Sequence, residues 1–175
     1  GFDKDVLIDI CQQTGAEIAN FNSNEQIVIT GHADKVALAI EAIKAAGGTK
    51  VIPLAVSGAF HSSLMQSAAD QFKTVLADVS IHPGSIQVVT NVNAQPQADA
   101  HTVRTNLAKQ ITASVQWVKS IEFMASQGIT DFVEIGPGKV LKGLIRRINP
   151  ALNVQNIEKP SDLDTLVTLP GSVVV

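Results

Sequence analysis

One histidine stands where α/β proteins commonly place reactive groups. His61 follows the apolar run 51–56, which is predicted to be a buried strand, and precedes a stretch with helical periodicity. Functional groups gather at the carboxyl ends of strands in such folds, so an imidazole at this junction is suited to proton transfer. The alternative is a structural histidine in a helix cap or the core, which position alone favours.

A nucleophile to accompany this imidazole is not evident in the sequence. The G-x-S-x-G elbow of serine hydrolases is absent from the chain. Ser62 and Ser63 are neighbours of His61, but their position predicts that one of them caps the following helix. Cys11 lies beside Ile10 in a predicted helix and is interpreted as a small buried hydrophobic residue. The sequence therefore contains a candidate general base but no evident nucleophile.

A glycine-rich turn, 136–139, joins a predicted strand to the last helix. Its backbone N–H groups could hold an anion, or the turn could simply let the helix pack close to the sheet. It matches neither the P-loop nor the G-x-G-x-x-G pattern. No metal site is expected, since no H-x-x-x-H or C-x-x-C pair occurs. Basic residues on this helix suggest a solvated face, with anion contact as the alternative: Lys139, Lys142, Arg146 and Arg147.

Composition excludes several classes of protein. The 175 residues are 45% hydrophobic and 17% charged, which argues against a disordered chain. Net charge is −3 with scattered Lys and Arg, so no nucleic acid is expected as a partner. No apolar run is long enough for a membrane span and no signal peptide is visible. The lone Cys11 suits a reducing, cytoplasmic location. The sparse charge predicts apolar surface that another part of the protein covers.

The first third of the chain has the order helix, strand, strand, helix, strand. This order is that of a split βαβ, ferredoxin-like unit without its first strand. The predicted elements are a helix capped by Asp3 and ended by Gly15, strands at 16–19 and 26–30, a helix over 34–46, and the strand 51–56.

Strands and helices then alternate, which predicts a parallel α/β layer. Two predicted strands occupy 86–91 and 131–135, while the tail after Asn149 is given no structure. The predicted helices are one begun by Ser62 or Ser63 with Met65, Ala68, Phe72, Val75 and Val79 inside, one capped by Asp99 carrying Val103 and Leu107, one with Trp117, Ile121 and Met124 that stops at Gly128, and one ended by Pro150.

Five segments in a fixed order resemble the malonyl-CoA:acyl carrier protein transacylase family, within the acyltransferases of fatty acid and polyketide synthesis. The resemblance extends over residues 1–148 and is carried by their combination. The segments are Asn20-Phe21-Asn22-Ser23 with 26–31, Val56 to Met65 including Ala59-Phe60-His61-Ser62, 89–92, Gln110 to Trp117, and Phe132 to Leu141 including Gly136-Pro137-Gly138-Lys139.

The resemblance implies an incomplete α/β architecture. Residues 1–55 match the ferredoxin-like small subdomain without its first strand. Residues 56–148 match the C-terminal part of a large, α/β-hydrolase-like subdomain with a parallel sheet. Residues 149–175 form a C-terminal tail that adds nothing to the match. The chain is thus expected to be the C-terminal portion of the enzyme.

The resemblance also implies a reaction. A serine takes malonyl from coenzyme A and passes it to the phosphopantetheine thiol of acyl carrier protein, so the coenzyme A thioester is a substrate and no cofactor is implied. His61 matches the catalytic base, and Gln110 matches the residue whose main-chain carbonyl accepts the other imidazole N–H. Phe60 matches the aromatic position that favours malonyl, and Asn22 matches a polar position facing the cleft.

Three family residues have no counterpart here: the elbow serine, the arginine that binds the malonyl carboxylate, and the N-terminal oxyanion glutamine. The missing N-terminal half is therefore an expected partner, and the chain alone is expected to be inactive. Three alternatives stay open. They are an acyltransferase domain of a polyketide synthase, a non-catalytic module that binds a carrier protein, and an α/β domain whose His61 is structural.

Overall fold

A computed structural model describes residues 2–56, 58–82, 84–97, 99–165 and 173–174. Its first region is a hairpin flanked by two helices, as predicted. The Asp3 carboxylate accepts the backbone N–H groups of Asp5 and Val6, and Gly15, at φ 77°, ends the helix in a left-handed conformation. The elements are α1 Lys4–Thr14, β1 Glu17–Ser23, β2 Gln26–Thr30 and α2 Ala33–Ala45.

The hairpin packs its apolar side against both helices. β1 and β2 are antiparallel, and β1 runs four residues beyond its predicted end because the turn between the strands is shorter than the sequence indicated. Val6 of α1 is exposed, whereas Leu7 and Ile10 of the same helix are buried. The buried cluster of this region consists of Leu7, Ile10, Cys11, Ala16, Ala39 and Ile43.

The second region contains a three-stranded parallel sheet with strand order β4-β3-β5, which confirms the predicted parallel α/β layer. The elements are α3 Gln66–Ala77, α4 Ala100–Gln110, α5 Trp117–Ser126, β3 Asp131–Ile135, α6 Val140–Ile148, β4 Asn153–Ile157 and β5 Val173–Val174, with 3-10 turns at Ser63–Met65 and Pro160–Thr165. The predicted stripe on α5 is confirmed as core: Trp117, Ile121 and Met124 pack with Phe132, Leu144, Ile145, Leu152 and Val154.

Two predicted strands do not form. Segments 51–56 and 86–91 have no strand structure apart from one isolated bridge between Val89 and Pro96. Ile52 and Ile86 are each 76% exposed. The physical reason is the lack of a neighbour, because a strand persists only where another strand pairs with its backbone. The ferredoxin-like order therefore lacks its final strand here as well.

The helix after His61 also differs from its prediction. A 3-10 turn, Ser63–Met65, precedes α3, and neither serine caps it through its side chain. Ala69 and Leu76 are the buried residues of α3, whereas Val75 and Val79 of the predicted inner face are exposed. The buried stripe lies one position beyond the predicted one because α3 packs this side, with Ala69 and Leu76, against α4. Leu107 of α4 is likewise exposed.

The tail is more ordered than predicted. β4 lies within it and pairs in parallel with β3 along its whole length, with Phe132 opposite Val154. Its sequence, Asn-Val-Gln-Asn-Ile, has too few apolar residues to indicate a strand, so its pairing with β3 decides its structure. Among the described residues, no helix combines the length and apolar character needed to cross a bilayer.

Candidate active site

The backbone of His61 adopts an uncommon conformation. Its φ of 63° lies in the left-handed region, which costs a non-glycine residue about 1–3 kcal/mol unless the surroundings enforce it. The backbone N–H of His61 donates to the Ile111 carbonyl at 3.0 Å. A long-range hydrogen bond therefore helps to fix a turn that local preferences disfavour.

The imidazole faces two main-chain carbonyls. His61 Nδ1 lies 2.9 Å from the Gln110 carbonyl oxygen and 3.1 Å from that of Ala113. Carbonyls only accept hydrogen bonds, so these two nearer partners assign the proton to Nδ1, and the Gln110 side-chain nitrogen, a donor at 3.3 Å, is the more distant neighbour. The Nε2 atom is then left with its lone pair. An imidazole in this tautomer can take a proton from a hydroxyl or thiol and return it.

Gln110 is the last residue of α4, and this position explains why its carbonyl is available. The final carbonyls of a helix have no intrahelical partner and carry the negative end of its dipole. α4 is capped by Asp99, whose carboxylate accepts the Thr102 N–H at 2.7 Å. This hydrogen bond lowers the pKa of Asp99. Arg104 ties α4 to α3 by donating to the carbonyls of Leu76 and Val79.

A carboxylate from the hairpin reaches the residue two positions after His61. Glu17, in β1, accepts the backbone N–H of Ser63 at 3.0 and 3.1 Å and its hydroxyl at 2.6 Å. Ser62 is buried, and its hydroxyl donates to the Ala59 carbonyl. Ser62 and Ser63, one of which was predicted to cap the helix, therefore stabilise the turn instead. The carboxylate that accepts a hydrogen bond at the start of the helix is that of Glu17 in β1.

An open cavity of about 570 Å³ is lined by residues of α1 and β1, by His61 and by the segment that ends α4 and follows it. Its polar lining residues include Lys109 and Gln116. Neither Phe60 nor Asn22 is among the described residues that line it. The lining residues are Ile8, Cys11, Gln12, Ala16, Glu17, Ile18, Phe21, His61, Val92, Lys109, Thr112, Ala113, Ser114 and Gln116.

Each of the two predicted substrate-binding residues is adjacent in the chain to a residue that lines this cavity. Phe60 is adjacent to His61 and 57% exposed, with its ring against the backbone of Gly58. Asn22 is half-buried in β1. The structure brings Gln110 into contact with His61 but places neither Phe60 nor Asn22 there. Their roles stay predictions.

Cys11 lines the same cavity as His61, although the sequence assigned it only to the core. It is indeed buried, and burial raises the pKa of its thiol. A raised pKa reduces the fraction of thiolate, which is the nucleophilic form. Within the described residues, no group of three or more His, Cys, Asp or Glu side chains is arranged to hold a metal ion.

For the turn before α6, the structure favours the packing role over the binding of an external anion. The buried Glu134 carboxylate accepts the N–H groups of Leu141 at 3.0 Å and Lys142 at 2.9 Å. The helix N-terminus therefore already holds an anion, supplied by the chain itself. Gly136 and Gly138 both have positive φ, as a tight turn requires. The basic side of α6 is mainly exposed, as a solvated face would be.

Sequence reasoning missed Glu17, Glu134 and the carbonyls of Ile111 and Ala113. Glu17 is 46 positions from its partner, so no local pattern indicates the contact. Glu134 lies in one of the segments that carry the family resemblance. An acidic residue within a predicted strand was the only feature of the sequence that indicated a role for it. Main-chain carbonyls carry no signal at all, since every residue has one.

No family model matches the chain. At 38% identity, it is similar over 168 residues to a malonyl CoA-acyl carrier protein transacylase of Staphylococcus aureus, a match that covers 93% of this chain and 54% of that protein. A crystal structure of the transacylase from Xanthomonas oryzae superposes with a TM-score of 0.89 at 38% identity, over 94% of this chain and 54% of that one.

A third comparison is with a malonyl-transacylase in complex with a type II PKS acyl-carrier protein. Its TM-score is 0.90 at 35% identity, and the match covers 94% of this chain and 55% of the other. The chain thus spans about half the length of the relatives that it matches. In sequence and in fold, the comparisons confirm its resemblance to the malonyl-CoA:acyl carrier protein transacylases.

Proposed function

We propose that this chain contributes the general base to malonyl transfer from coenzyme A to acyl carrier protein. The observation that carries the proposal is the imidazole of His61, whose Nδ1 donates to the Gln110 carbonyl at 2.9 Å. A carbonyl here does the orienting that a carboxylate does in a Ser-His-Asp triad. The relatives named for this reaction match almost the whole chain.

In the first half-reaction, a serine hydroxyl from outside this chain attacks the malonyl thioester carbonyl. Nε2 of His61 takes the hydroxyl proton as the C–O bond forms. The C–S bond then breaks, and the imidazolium returns the proton to the coenzyme A sulfur. The products are malonyl-serine and free coenzyme A.

In the second half-reaction, the carrier protein's phosphopantetheine thiol gives its proton to Nε2. The thiolate attacks the malonyl-serine ester, the C–O bond breaks, and the serine oxygen recovers the proton. The imidazole thus ends each half-reaction in its starting state. No cofactor takes part in the proposed reaction, because the coenzyme A thioester is itself a substrate.

The remaining features of the proposal concern the whole protein. The relatives are almost twice as long, and we place the elbow serine, the malonyl-binding arginine and the oxyanion glutamine in the corresponding additional segment. Residues 1–55 would complete a ferredoxin-like subdomain and residues 56–148 a hydrolase-like sheet with it, followed by the tail 149–175. The reducing cytoplasm is the proposed location, consistent with a single buried Cys11.

The test compares the 175-residue chain alone with the chain joined to the upstream segment of a transacylase relative. Malonyl transfer to acyl carrier protein is expected only from the joined protein. In that protein, His61→Ala should lower kcat about 10²–10⁴-fold, the usual contribution of a general base. The matched control is His101→Ala, which alters an exposed histidine on α4 and should leave transfer unchanged.

Gln110→Ala distinguishes the contribution of the main-chain carbonyl from that of the side chain. The substitution keeps the main-chain oxygen, so it should lower kcat far less than His61→Ala does. Transfer by the 175-residue chain alone at a rate near that of a complete transacylase would contradict the proposal. Full activity of His61→Ala in the joined protein would contradict it as well.

A second candidate is transfer to a polyketide carrier protein, since one matched structure is a complex with a type II PKS acyl-carrier protein. Assays with fatty acid and polyketide carriers discriminate the two by kcat/KM. A non-catalytic module is the third candidate. Loss of carrier binding in His61→Ala, with no transfer by the parent protein, would favour it.

A further inference from the structure

All three hydrogen bonds to the Glu17 carboxylate come from one residue. The Ser63 amide lies 3.1 and 3.0 Å from its two oxygens, and the Ser63 hydroxyl lies 2.6 Å from one of them. Hydrogen bonds to an ionised carboxylate are roughly twice as strong as neutral ones. The ion pairs found among the described residues involve Asp34 and Glu41, so Glu17 is committed to Ser63.

Ser63 is the point at which the His61 turn becomes a helix. It begins the 3-10 turn that continues into α3, and its N–H is one of the first, unpaired donors of that helix. A carboxylate at this position also interacts favourably with the helix dipole. The turn is thus held at both ends, by the His61 N–H on Ile111 and by Ser63 on Glu17.

We propose that Glu17 is a positioning residue for His61. Its carboxylate fixes Ser63 and thereby holds the left-handed turn that directs the imidazole towards the Gln110 carbonyl. The inference rests on the proposed function only in taking that imidazole as the general base. Glu17 does not act on substrate.

The hairpin has other attachments, so loss of Glu17 should act locally. The amide of Phe21 donates to the Val115 carbonyl, and the amide of Val115 donates to the Ala19 carbonyl. The Ser114 hydroxyl donates to the Ile18 carbonyl. These bonds join β1 to the segment after α4 independently of Ser63. Removing the carboxylate therefore releases the His61 turn while the hairpin stays in place.

The first experiment measures the imidazole tautomer by ¹⁵N NMR of the full chain labelled at histidine, with the His61 signals assigned from His61→Ala. The parent chain should show the Nδ1–H form. Glu17→Ala should shift the ratio of the two tautomers towards the Nε2–H form by up to about tenfold, because the lost charged hydrogen bond reaches the imidazole only through the turn and its energy sets the upper limit. Glu17→Gln, which keeps an acceptor oxygen, should restore part of the preference.

The matched control is Glu25→Ala, which removes an exposed carboxylate from the same hairpin. It should leave the tautomer ratio unchanged. An unaltered ratio in Glu17→Ala would overturn the proposal.

Amide hydrogen exchange at low protein concentration covers the case in which Glu17→Ala does not fold well enough for NMR. In Glu17→Gln and Ser63→Ala, the amides of His61 and Ser63 should exchange faster, while those of β3 keep the parent rate. Equal acceleration throughout the chain, or none, would overturn the proposal. Neither readout uses malonyl transfer, so failure of the proposed function and failure of this inference are separate results.

Discussion

Three apolar segments that were each predicted to be a strand differ in whether they form one. Segments 51–56, 86–91 and 131–135 contain three, four and two β-branched residues respectively, and all were predicted to be strands. Only the third forms one, as β3, with Phe132 1% exposed and a strand on each side. In the other two, Ile52 and Ile86 are each 76% exposed. The comparison shows that pairing partners, rather than residue type, decide whether a strand forms.

The difference also gives a physical meaning to the low charge of the chain. Apolar segments without a partner expose surface that soluble proteins normally cover. The matched relatives are almost twice as long as this chain, and under the proposed function their additional segment supplies the neighbouring strands. Segments 51–56 and 86–91 would then become inner strands of a larger sheet.

The largest effect on stability is expected in β3, the one of the three segments that forms a strand. Phe132→Ala removes a fully buried ring from the second core, and substitutions of this kind cost about 3–5 kcal/mol. The free energy of unfolding from urea titration measures the effect. Phe60→Ala is the matched control, because this ring is largely exposed and its removal should change stability far less. Equal losses for the two variants would contradict the account of the core.

A smaller loss is expected where β3 meets α6. Glu134→Ala leaves the N–H groups of Leu141 and Lys142 without their acceptor, at a cost of about 1.5–3 kcal/mol for hydrogen bonds to a charged group. Glu134→Gln keeps one acceptor and should lose less. Glu122→Ala, an exposed position on α5, should stay within about 0.5 kcal/mol. Thermal or urea unfolding of the three variants ranks them, and an equal loss for Glu122→Ala would refute the role of Glu134.

Acid should reduce the stability that Asp131 provides at the start of β3. Hydrogen bonds from Thr130 and Asn153 lower the pKa of Asp131. Because the folded pKa lies below the unfolded value, the stabilisation is complete above the unfolded pKa and is lost as pH falls through the folded one. Asp131→Asn should therefore be less stable than the parent near neutral pH, with the difference narrowing below about pH 4. A difference that does not change with pH would contradict this assignment.

The smallest effect on stability is expected in segments 51–56 and 86–91, which form no strand. The double variant Ile52→Ser, Ile86→Ser alters two exposed side chains and should change the free energy of unfolding by at most about 0.5 kcal/mol. The parent chain should aggregate or bind a hydrophobic dye, and the double variant should bind less of it. A monodisperse parent that binds no dye would argue against the exposed apolar surface.

Local patterns predicted much of the fold. The capping signal of Asp3, the glycine that ends α1, and the apolar stripe of α5 each depend on residues within a few positions of one another. The stripe of α3 was misplaced because packing against α4, which no local pattern indicates, decides the buried side of the helix. β4 was missed because its polar sequence relies on β3 for its structure.

The candidate site was predictable to a different extent. His61 and Gln110 follow from the resemblance, and the structure places Nδ1 against the Gln110 carbonyl. Glu17 could not have been found in this way, since its partner lies 46 positions along the chain. The roles of Phe60 and Asn22 stay predictions, because neither lines the cavity beside His61.

The sequence alone therefore determined the local elements, the α/β class and the family resemblance, since periodicity, caps and motifs are properties of neighbouring residues. Tertiary structure decided which apolar segments became strands and which groups surround His61. The physical reason is common to both: backbone hydrogen bonds between strands, and the hydrogen bonds that fix a strained turn, join residues that are distant in the chain.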